Sequence, residues 1–244
     1  MKYIKKLDQV EKIAIDNKDN YLQADPFPHI VLDNFFNNEI LDEILKEFPS
    51  NLDQIGNKFE NKVEKKLTLN NSYLLSNNTN NFLNFLNSQI FLNFLQKITS
   101  INEKLVPDPY LLGGGLHELK NDGYLNIHAD FNLHPSMKLD RRLNILIYLN
   151  KDWNEDYGGS LQLWDKKMEK CVKKIIPIFN RMVIFSTTDF SYHGNPDKVA
   201  CPTNNSRKSI AMYYYTKNNN GNKDFENSVE HSTKWFENFR YNNP

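Results

Sequence analysis

The sequence predicts a mainly β protein with flanking helices, in which helical segments precede a β-sandwich or barrel. From Pro107 onward, short apolar runs alternate with turns built from Gly, Pro and Asn, a spacing typical of these all-β architectures. Before Pro107, apolar residues recur at the period of amphipathic helices. At 244 residues the chain is long enough to bury the core of one large domain.

We expect a single domain over residues 1–244, made of four parts. These are an N-terminal extension (1–25), a helical support (26–106), a β core (107–217) and a C-terminal tail (218–244). The helices of the support are expected to pack against the outside of the β core.

The first half is predicted to contain three helical segments and two strands. A short helix is expected around Leu7–Ala14, a strand over Pro26–Asp33 and a helix over Glu39–Phe48. Residues 50–80 are rich in Asn, Lys and Ser and predict a loop with one short strand. The apolar residues from Phe82 to Ile98 follow helical spacing, which indicates a core face rather than a ligand surface.

The β core is predicted to contain seven short strands. Their ranges are Tyr110–Leu116, Tyr124–Ile127, Leu143–Leu149, Ser160–Trp164, Cys171–Ile176, Met182–Phe185 and Ser209–Tyr215. The run Gly113–Gly115 lacks the Lys-Ser/Thr pair and the helix of a phosphate-binding loop, so we expect a bulge or loop there. In the tail, Glu230–Phe236 predicts a short helix that docks on the barrel through Trp235 and Phe236.

The charge balance excludes two classes of partner. With 30 basic and 30 acidic residues the net charge is +0, so we expect neither nucleic acid nor an anionic membrane as a partner. The two cysteines, Cys171 and Cys201, are too few for a disulfide framework and indicate a reducing compartment. The segment Met1–Asp8 lacks the apolar core of a signal peptide. We therefore expect a cytoplasmic location.

One His-x-Asp triplet carries metal-binding chemistry. His128 and Asp130 are two residues apart in an extended segment, so their side chains point to the same face. With a second imidazole they would form the two-His, one-carboxylate set of non-heme Fe(II) oxygenases, which leaves one face of the metal open. The triplet alone leaves a different interpretation open, a His at a strand end beside a solvated Asp.

His193 is the best candidate for the second imidazole. The five candidates are His29, His117, His134, His193 and His231. His193 follows the apolar strand Met182–Ser186 after a short turn and precedes Gly194–Pro196, which ends its own strand. A His bonded to a turn carbonyl is the alternative.

Arg207 and Ser209 occupy one face of the last core strand. An Arg that points into a barrel is costly unless it is paired. A carboxylate ligand would pair with Arg207, with the hydroxyls of Ser209 and Tyr148 as further donors. The alternative is an Arg that pairs with a nearby Asp at the surface.

These residues resemble a known signature. The order His128-x-Asp130, His193 and Arg207-x-Ser209 is similar to that of Fe(II)/2-oxoglutarate-dependent oxygenases, prolyl-hydroxylase-like branch. The segments Leu143–Trp153, Gly158–Trp164 and Phe27–Phe36 resemble the family's core strand, its Gly-Gly strand and the entry strand of its bacterial members. The resemblance covers roughly residues 26–217.

The resemblance implies a fold, a cofactor and a reaction. The fold is a double-stranded β-helix, a jelly-roll or cupin-like barrel, with N-terminal helices on the outside. The implied site residues are His128, Asp130 and His193 as Fe(II) ligands, and Arg207, Ser209 and Tyr148 on the distal carboxylate of 2-oxoglutarate, with no catalytic residue beyond the metal centre. The implied reaction is a dioxygenase hydroxylation of an unactivated C–H bond, with release of succinate and CO2. Asp130 disfavours halogenation, because halogenating relatives carry a small residue there.

The substrate is less constrained by the sequence. We expect an amino acid or another small biosynthetic molecule, with a prolyl hydroxylase acting on a protein or peptide as the alternative. The candidate pocket residues are Asn132, His134 and Arg142. Many family members carry a Tyr about ten residues before the first iron His, whereas this chain has Leu116–Lys120, so the roles of His117 and Glu118 stay open.

Two non-oxygenase functions are weighed against this expectation. A barrel that binds a metal or a carboxylate without catalysis should have lost a ligand, and no ligand is missing here. A zinc hydrolase can use the same three ligands, but it does not need an inward Arg207.

Overall fold

The computed structural model describes residues 3–4, 7–217 and 230–236, and its regular elements begin with helices. Its α-helices are α1 (Val10–Leu22), α2 (Asn38–Lys46), α3 (Leu52–Ile55), α4 (Asn77–Leu86) and α5 (Gln89–Thr99). Single 3-10 turns span Leu7–Gln9, Ser72–Leu74 and Glu155–Tyr157. The helices therefore precede most of the β structure, as the periodicity predicts.

Thirteen antiparallel strands among these residues form one curled sheet. The first seven are β1 (His29–Asp33), β2 (Asn57–Glu60), β3 (Glu64–Leu69), β4 (Val106–Pro107), β5 (Gly115–Leu119), β6 (Tyr124–Ala129) and β7 (Asp140–Tyr148). The others are β8 (Leu161–Trp164), β9 (Cys171–Ile175), β10 (Arg181–Ser186), β11 (His193–Asn195), β12 (Arg207–Thr216) and β13 (Lys234–Trp235).

The sheet has two halves. The first half has the order β1-β10-β7-β12-β5, and the second half has the order β6-β11-β8-β9. β3 pairs with β5 on one side and with β6 on the other, so it connects the halves. At the margins, β2 pairs with β3, β4 with β12 and β13 with β6. The interior between the two halves is an open barrel.

Helices cover the outer face of the first half. Phe82 of α4 and Phe91 and Phe94 of α5 belong to one buried cluster with Ile145 of β7 and Met212 of β12. This is the outside packing that the aromatic stripe of residues 82–98 predicts. Burial of such side chains stabilises the fold by roughly 1.5–3 kcal/mol each. The helices therefore leave the inner face of the sheet free for a site.

Three segments differ from the prediction. The helical pattern of residues 82–98 is two helices, because Asn87 and Ser88 interrupt it and Ser88 occupies the N-cap position of α5. Residues 50–80 hold more structure than a loop with one strand, since α3, β2 and β3 all lie there. The tail segment Glu230–Phe236 contains strand β13 instead of a helix. The rest of the tail, residues 218–229 and 237–244, lies outside the described residues.

None of the helices in the described ranges is long and apolar enough to cross a membrane.

Candidate active site

Two neighbouring strands bring the predicted metal ligands together. His128 of β6 is paired directly with His193 of β11, and Asp130 follows the last residue of β6. The Asp130 Oδ1 lies 3.5 Å from the Nε2 of His128, and its Oδ2 lies 3.4 Å from the Nε2 of His193. One donor atom from each residue lies within 4.8 Å of the others, and all three residues are buried. This donor set could hold a divalent metal ion.

Backbone carbonyls fix the orientation of both imidazoles. The Nδ1–H of His128 donates to the carbonyl of Asn126, and that of His193 donates to the carbonyl of Ser191, both at 2.8 Å. The lone pair of each ring is therefore on Nε2, where a metal would bind. Burial lowers the pKa of His193 to about 4, even though Asp130 acts in the opposite direction. The ring is therefore neutral near pH 7, as metal ligation requires.

Asp130 is held by two side chains from β7. The Asn144 amide donates to its Oδ2 at 2.6 Å, and the Arg141 guanidinium lies 3.2 Å from the same oxygen. Burial alone would raise the pKa of Asp130, but Arg141 and the imidazoles of His193 and His128 hold it well below its usual value. The carboxylate is therefore ionised and oriented.

The side chain of Arg141 is buried and contacts two aromatic rings. Its guanidinium carbon lies 3.5 Å from the ring centroid of Tyr213 and 4.5 Å from that of Phe131, and its Nε donates to the Asn144 carbonyl oxygen at 2.9 Å. Burial alone would lower the pKa of Arg141, but Asp130 and the neighbouring tyrosines raise it. The guanidinium therefore stays charged beside Asp130.

A β-bulge decides that Arg141, and not Arg142, faces this site. Leu143 pairs with Tyr214 and Arg141 pairs with Tyr215, so Arg142 is the extra residue of the β7–β12 ladder. An extra residue shifts the alternation of side chains along a strand. Arg142 instead lies near Thr216 and Glu103, at 3.4 and 3.5 Å.

Arg207 is buried in the first half of the sheet without a carboxylate partner among the described residues. Its Nε donates to the carbonyl of Gly159 at 2.6 Å, and one terminal nitrogen lies 3.4 Å from the Tyr148 hydroxyl. Its side chain is 3% exposed, and this burial lowers its pKa. A buried cation of this kind requires an anionic partner. Because Arg207 is buried, the alternative of an Arg that pairs with an Asp at the surface does not apply.

A cavity of about 140 Å³ connects these groups. The three candidate metal ligands line it on one side, and Arg207 and Ser209 line it on the other. Further lining comes from His117, Arg141, Asn144, Tyr213, Thr233 and Trp235. A ligand that chelates the metal and carries a distal carboxylate would bridge the two sides.

A family model of the 2OG-Fe(II) oxygenase superfamily matches residues 114–215. That span contains the whole donor set, Tyr148, Arg207 and Ser209. Over these residues the chain is similar to this superfamily.

Curated proteins that are similar to this chain include prolyl hydroxylases. Mouse prolyl 3-hydroxylase OGFOD1 is 28% identical over 202 residues, which cover 80% of this chain and 34% of the mouse protein. The same-named protein of Xenopus laevis is 26% identical over 176 residues, 70% of this chain and 32% of that protein. The chain thus spans about a third of the length of the curated relatives it matches.

Solved structures confirm the expected double-stranded β-helix. A Trichoplax adhaerens prolyl hydroxylase, in complex with a hypoxia inducible factor oxygen degradation domain peptide, superposes with a TM-score of 0.60 at 19% identity. That match covers 86% of this chain and 92% of the other.

The residues of this site fit the metal and cosubstrate that the superfamily name specifies. Two imidazoles and one carboxylate on one side suit Fe(II) and leave ligand positions open. The buried, unpaired charge of Arg207 suits the distal carboxylate of 2-oxoglutarate.

The candidate pocket residues lie elsewhere. Asn132 accepts a hydrogen bond from the backbone of His231 and does not line the cavity. The Nδ1 of His134 accepts from the backbone N–H groups of Ser136 and Met137, so this ring stabilises a turn. Arg142 is the extra residue of the bulge and lies near Thr216 and Glu103. None of the three residues lines the cavity, so their role in a substrate pocket stays a prediction.

Sequence reasoning missed Arg141, Asn144 and the cavity role of Trp235. Asn144 shares the predicted strand face of Tyr148. The alternation of side chains along this strand could therefore have indicated that Asn144 faces the site. The pairing of Trp235 with His128 has no sequence signal, because it depends on a strand contributed from the tail.

Proposed function

We propose that this chain is an Fe(II)- and 2-oxoglutarate-dependent dioxygenase that hydroxylates a prolyl residue in a protein or peptide. The observation that carries the oxygenase chemistry is a one-sided metal donor set that faces a buried Arg207 without a carboxylate partner. The names of the OGFOD1 relatives and the peptide complex of the Trichoplax enzyme support a peptidyl proline over the free small molecule expected from the sequence.

His128, Asp130 and His193 would hold the Fe(II). Because Asn144 and Arg141 engage the Oδ2 of Asp130, its Oδ1 is the oxygen better placed to ligate. The carbonyls of Asn126 and Ser191 keep each Nε2 directed at the metal. The protein would thereby supply three ligands and leave the other coordination positions of the metal to the reactants.

Arg207 would bind the distal carboxylate of 2-oxoglutarate. The Tyr148 hydroxyl lies beside the guanidinium, and Ser209 is paired with Tyr148 across β12 and β7. Charge-assisted bonds of this kind are strong in a buried site. They would fix the orientation of the keto acid end toward the metal.

When bound, the metal and cosubstrate supply the oxidation: O2 places one oxygen atom in succinate and one in the new C–OH, with loss of CO2. The protein positions the target C–H bond and keeps water away from the metal. The apolar side chains of Leu146, Leu161 and Phe185 line the cavity for this purpose. The other lining groups hold and orient the reactants.

A second candidate is hydroxylation of a free amino acid or similar small molecule. The cavity favours it, because about 140 Å³ is small for a ligand site and Thr233 and Trp235 line it beside the metal ligands.

The test begins with an anaerobic titration of 2-oxoglutarate into Fe(II)-loaded protein. We expect a visible charge-transfer band from the keto acid chelated to iron. Succinate release is then measured with a pool of proline-containing peptides and, separately, with the free amino acids. Stimulation by peptides supports the proposal, and stimulation by free amino acids alone supports the second candidate. Iron binding without the band contradicts both.

A further inference from the structure

The tail strand β13 occupies a sheet edge beside the metal ligands. Lys234 pairs with Ala129 and Trp235 pairs with His128, while the N–H of Phe236 donates to the carbonyl of Ile127 at 3.0 Å. An unpaired strand edge is a template for another extended chain. The tail of this protein therefore already shows that this edge accepts a strand.

Alternate side chains of this tail segment point at the site. His231, Thr233 and Trp235 are partly buried, whereas Ser232 and Lys234 are exposed. Thr233 and Trp235 line the cavity, and the Trp235 ring centroid lies 4.8 Å from that of His128. Because side chains alternate along a strand, any strand at this edge directs every second residue toward the metal.

Surface contacts hold the segment in place. The Asp189 carboxylate accepts from the His231 imidazole at 2.9 Å and from the Lys234 ammonium at 3.4 Å. Glu230 lies 3.5 Å from the ammonium of Lys138. The Lys138–Glu230 pair is exposed, whereas the His231–Asp189 contact is partly buried, and an exposed ion pair contributes only roughly 0–1 kcal/mol. Because only Lys234 and Trp235 pair with β6, the segment opens at lower cost than a core strand.

We propose that β13 is a displaceable cover, and that an extended polypeptide takes its place on the edge of β6 to present a side chain to the metal. This inference rests on the proposed function, since it assigns the docking edge of its polypeptide substrate. Main-chain hydrogen bonds to β6 would supply affinity, and the cavity would select the side chain that occupies the position of Trp235 or Thr233. The proposal also accounts for how a large substrate would reach a small cavity.

Trp235 supplies a readout that is independent of turnover. We replace the other two tryptophans (Trp153→Phe and Trp164→Phe) and fill the site with Co(II), which quenches a neighbouring indole. In this background Trp235 emission should be strongly quenched, because its ring contacts a ligand of the metal. Asp189→Ala, which releases both tail contacts, should raise that emission at least two-fold.

The docking edge is tested with a labelled synthetic peptide of the chain's own residues 230–236, followed by fluorescence anisotropy. Asp189→Ala should bind this peptide at least ten-fold more tightly than the parent, since the tail then competes less. Asp122→Ala is the matched control, because it removes an exposed carboxylate that pairs with Lys198 away from β13. It should behave like the parent.

Two results would contradict the proposal that β13 is a displaceable cover. One is that Asp189→Ala leaves the Trp235 emission unchanged, and the other is that the peptide does not bind to Asp189→Ala. Either can occur while the 2-oxoglutarate charge-transfer band forms normally, and the proposed oxygenase would then stand without the displaceable strand. Absence of the band contradicts the oxygenase instead, so the two failures are distinguishable.

Discussion

The guanidinium of Arg141 lies 3.2 Å from the carboxylate oxygen Oδ2 of Asp130. The contact joins a residue on the bulged part of β7 to the only carboxylate of the candidate metal centre in the described chain. It therefore couples the geometry of the first half of the sheet to metal binding in the second.

Arg141→Met should weaken Fe(II) binding roughly 10- to 100-fold, as typically happens when a partner that orients a metal ligand is removed. The physical reason is that Asn144 alone then holds the carboxylate of Asp130. Anaerobic equilibrium dialysis measures the affinity. Arg142→Met is the matched control, since Arg142 lies beside Glu103 and Thr216 and away from Asp130, and it should keep the parent affinity. Equal or tighter binding by Arg141→Met would contradict an orienting role.

Asp130→Ala and His193→Ala should each abolish Fe(II) binding. Metal at 100 times its dissociation constant should stabilise the parent by about 2.7 kcal/mol, and thermal unfolding should show no such gain in either variant. His134→Ala removes a buried imidazole outside the cavity. It should lower the melting temperature but keep the metal-dependent increase.

Arg207→Ala should leave Fe(II) bound but weaken 2-oxoglutarate by ~2–5 kcal/mol, the cost of leaving a buried charge without its partner. The anaerobic charge-transfer titration measures this. Lys208→Ala, on the opposite face of β12 beside Ser206, is the control. Parent affinity in Arg207→Ala would remove Arg207 from the cosubstrate site.

Gly159→Ala should produce a similar cosubstrate defect by displacing Arg207. A Cβ at Gly159 would lie 2.8 Å from the Arg207 Cδ, and the backbone there has φ +66°, a conformation that favours glycine. Fe(II) affinity should be unchanged while 2-oxoglutarate affinity falls. The same titration checks this, and a loss of metal binding would indicate a wider structural defect.

His117→Gln should reduce the acid sensitivity of the metal-free protein. Burial, with Lys66 and Arg207 nearby, lowers the pKa of His117 to about 3, so between pH 6.5 and about 3 the unfolded chain binds more protons than the folded one. Stability therefore falls as the pH decreases through that window, by up to ~1.4 kcal/mol per pH unit for this one group. Urea unfolding at several pH values should show a shallower slope for the variant, and an identical slope would contradict it.

The sequence predicts the residues that are defined by local alternation and by order along the chain. His128 and Asp130, His193, and Arg207 with Ser209 all lie around one cavity, as the strand pattern predicts. Arg142 does not line that cavity, because one extra residue in β7 places Arg141 there instead. A bulge is a property of the paired ladder and cannot be read from one strand.

Long-range pairing accounts for the other differences. The helix expected at Glu230–Phe236 is a strand because the β6 edge supplies hydrogen bonds that the segment does not have alone. The sequence predicts a loop with one short strand where β2 and β3 form a hairpin, because the exposed, charged residues of β2 carry no apolar alternation that would indicate a second strand. In both segments tertiary contacts outweigh local composition.

The division of the sheet has a consequence for how the ligands would act on the fold. His128 and His193 belong to the half that contains β6 and β11, whereas Arg207 and Tyr148 belong to the half that contains β12 and β7. Among the strands of the described chain, β3 is the one that pairs with both halves. A keto acid that chelates iron at one end and binds Arg207 at the other would fasten the two sides of the barrel to each other. Cosubstrate binding would then link the two halves of the sheet. This link would form when the keto acid binds and would be lost when succinate departs.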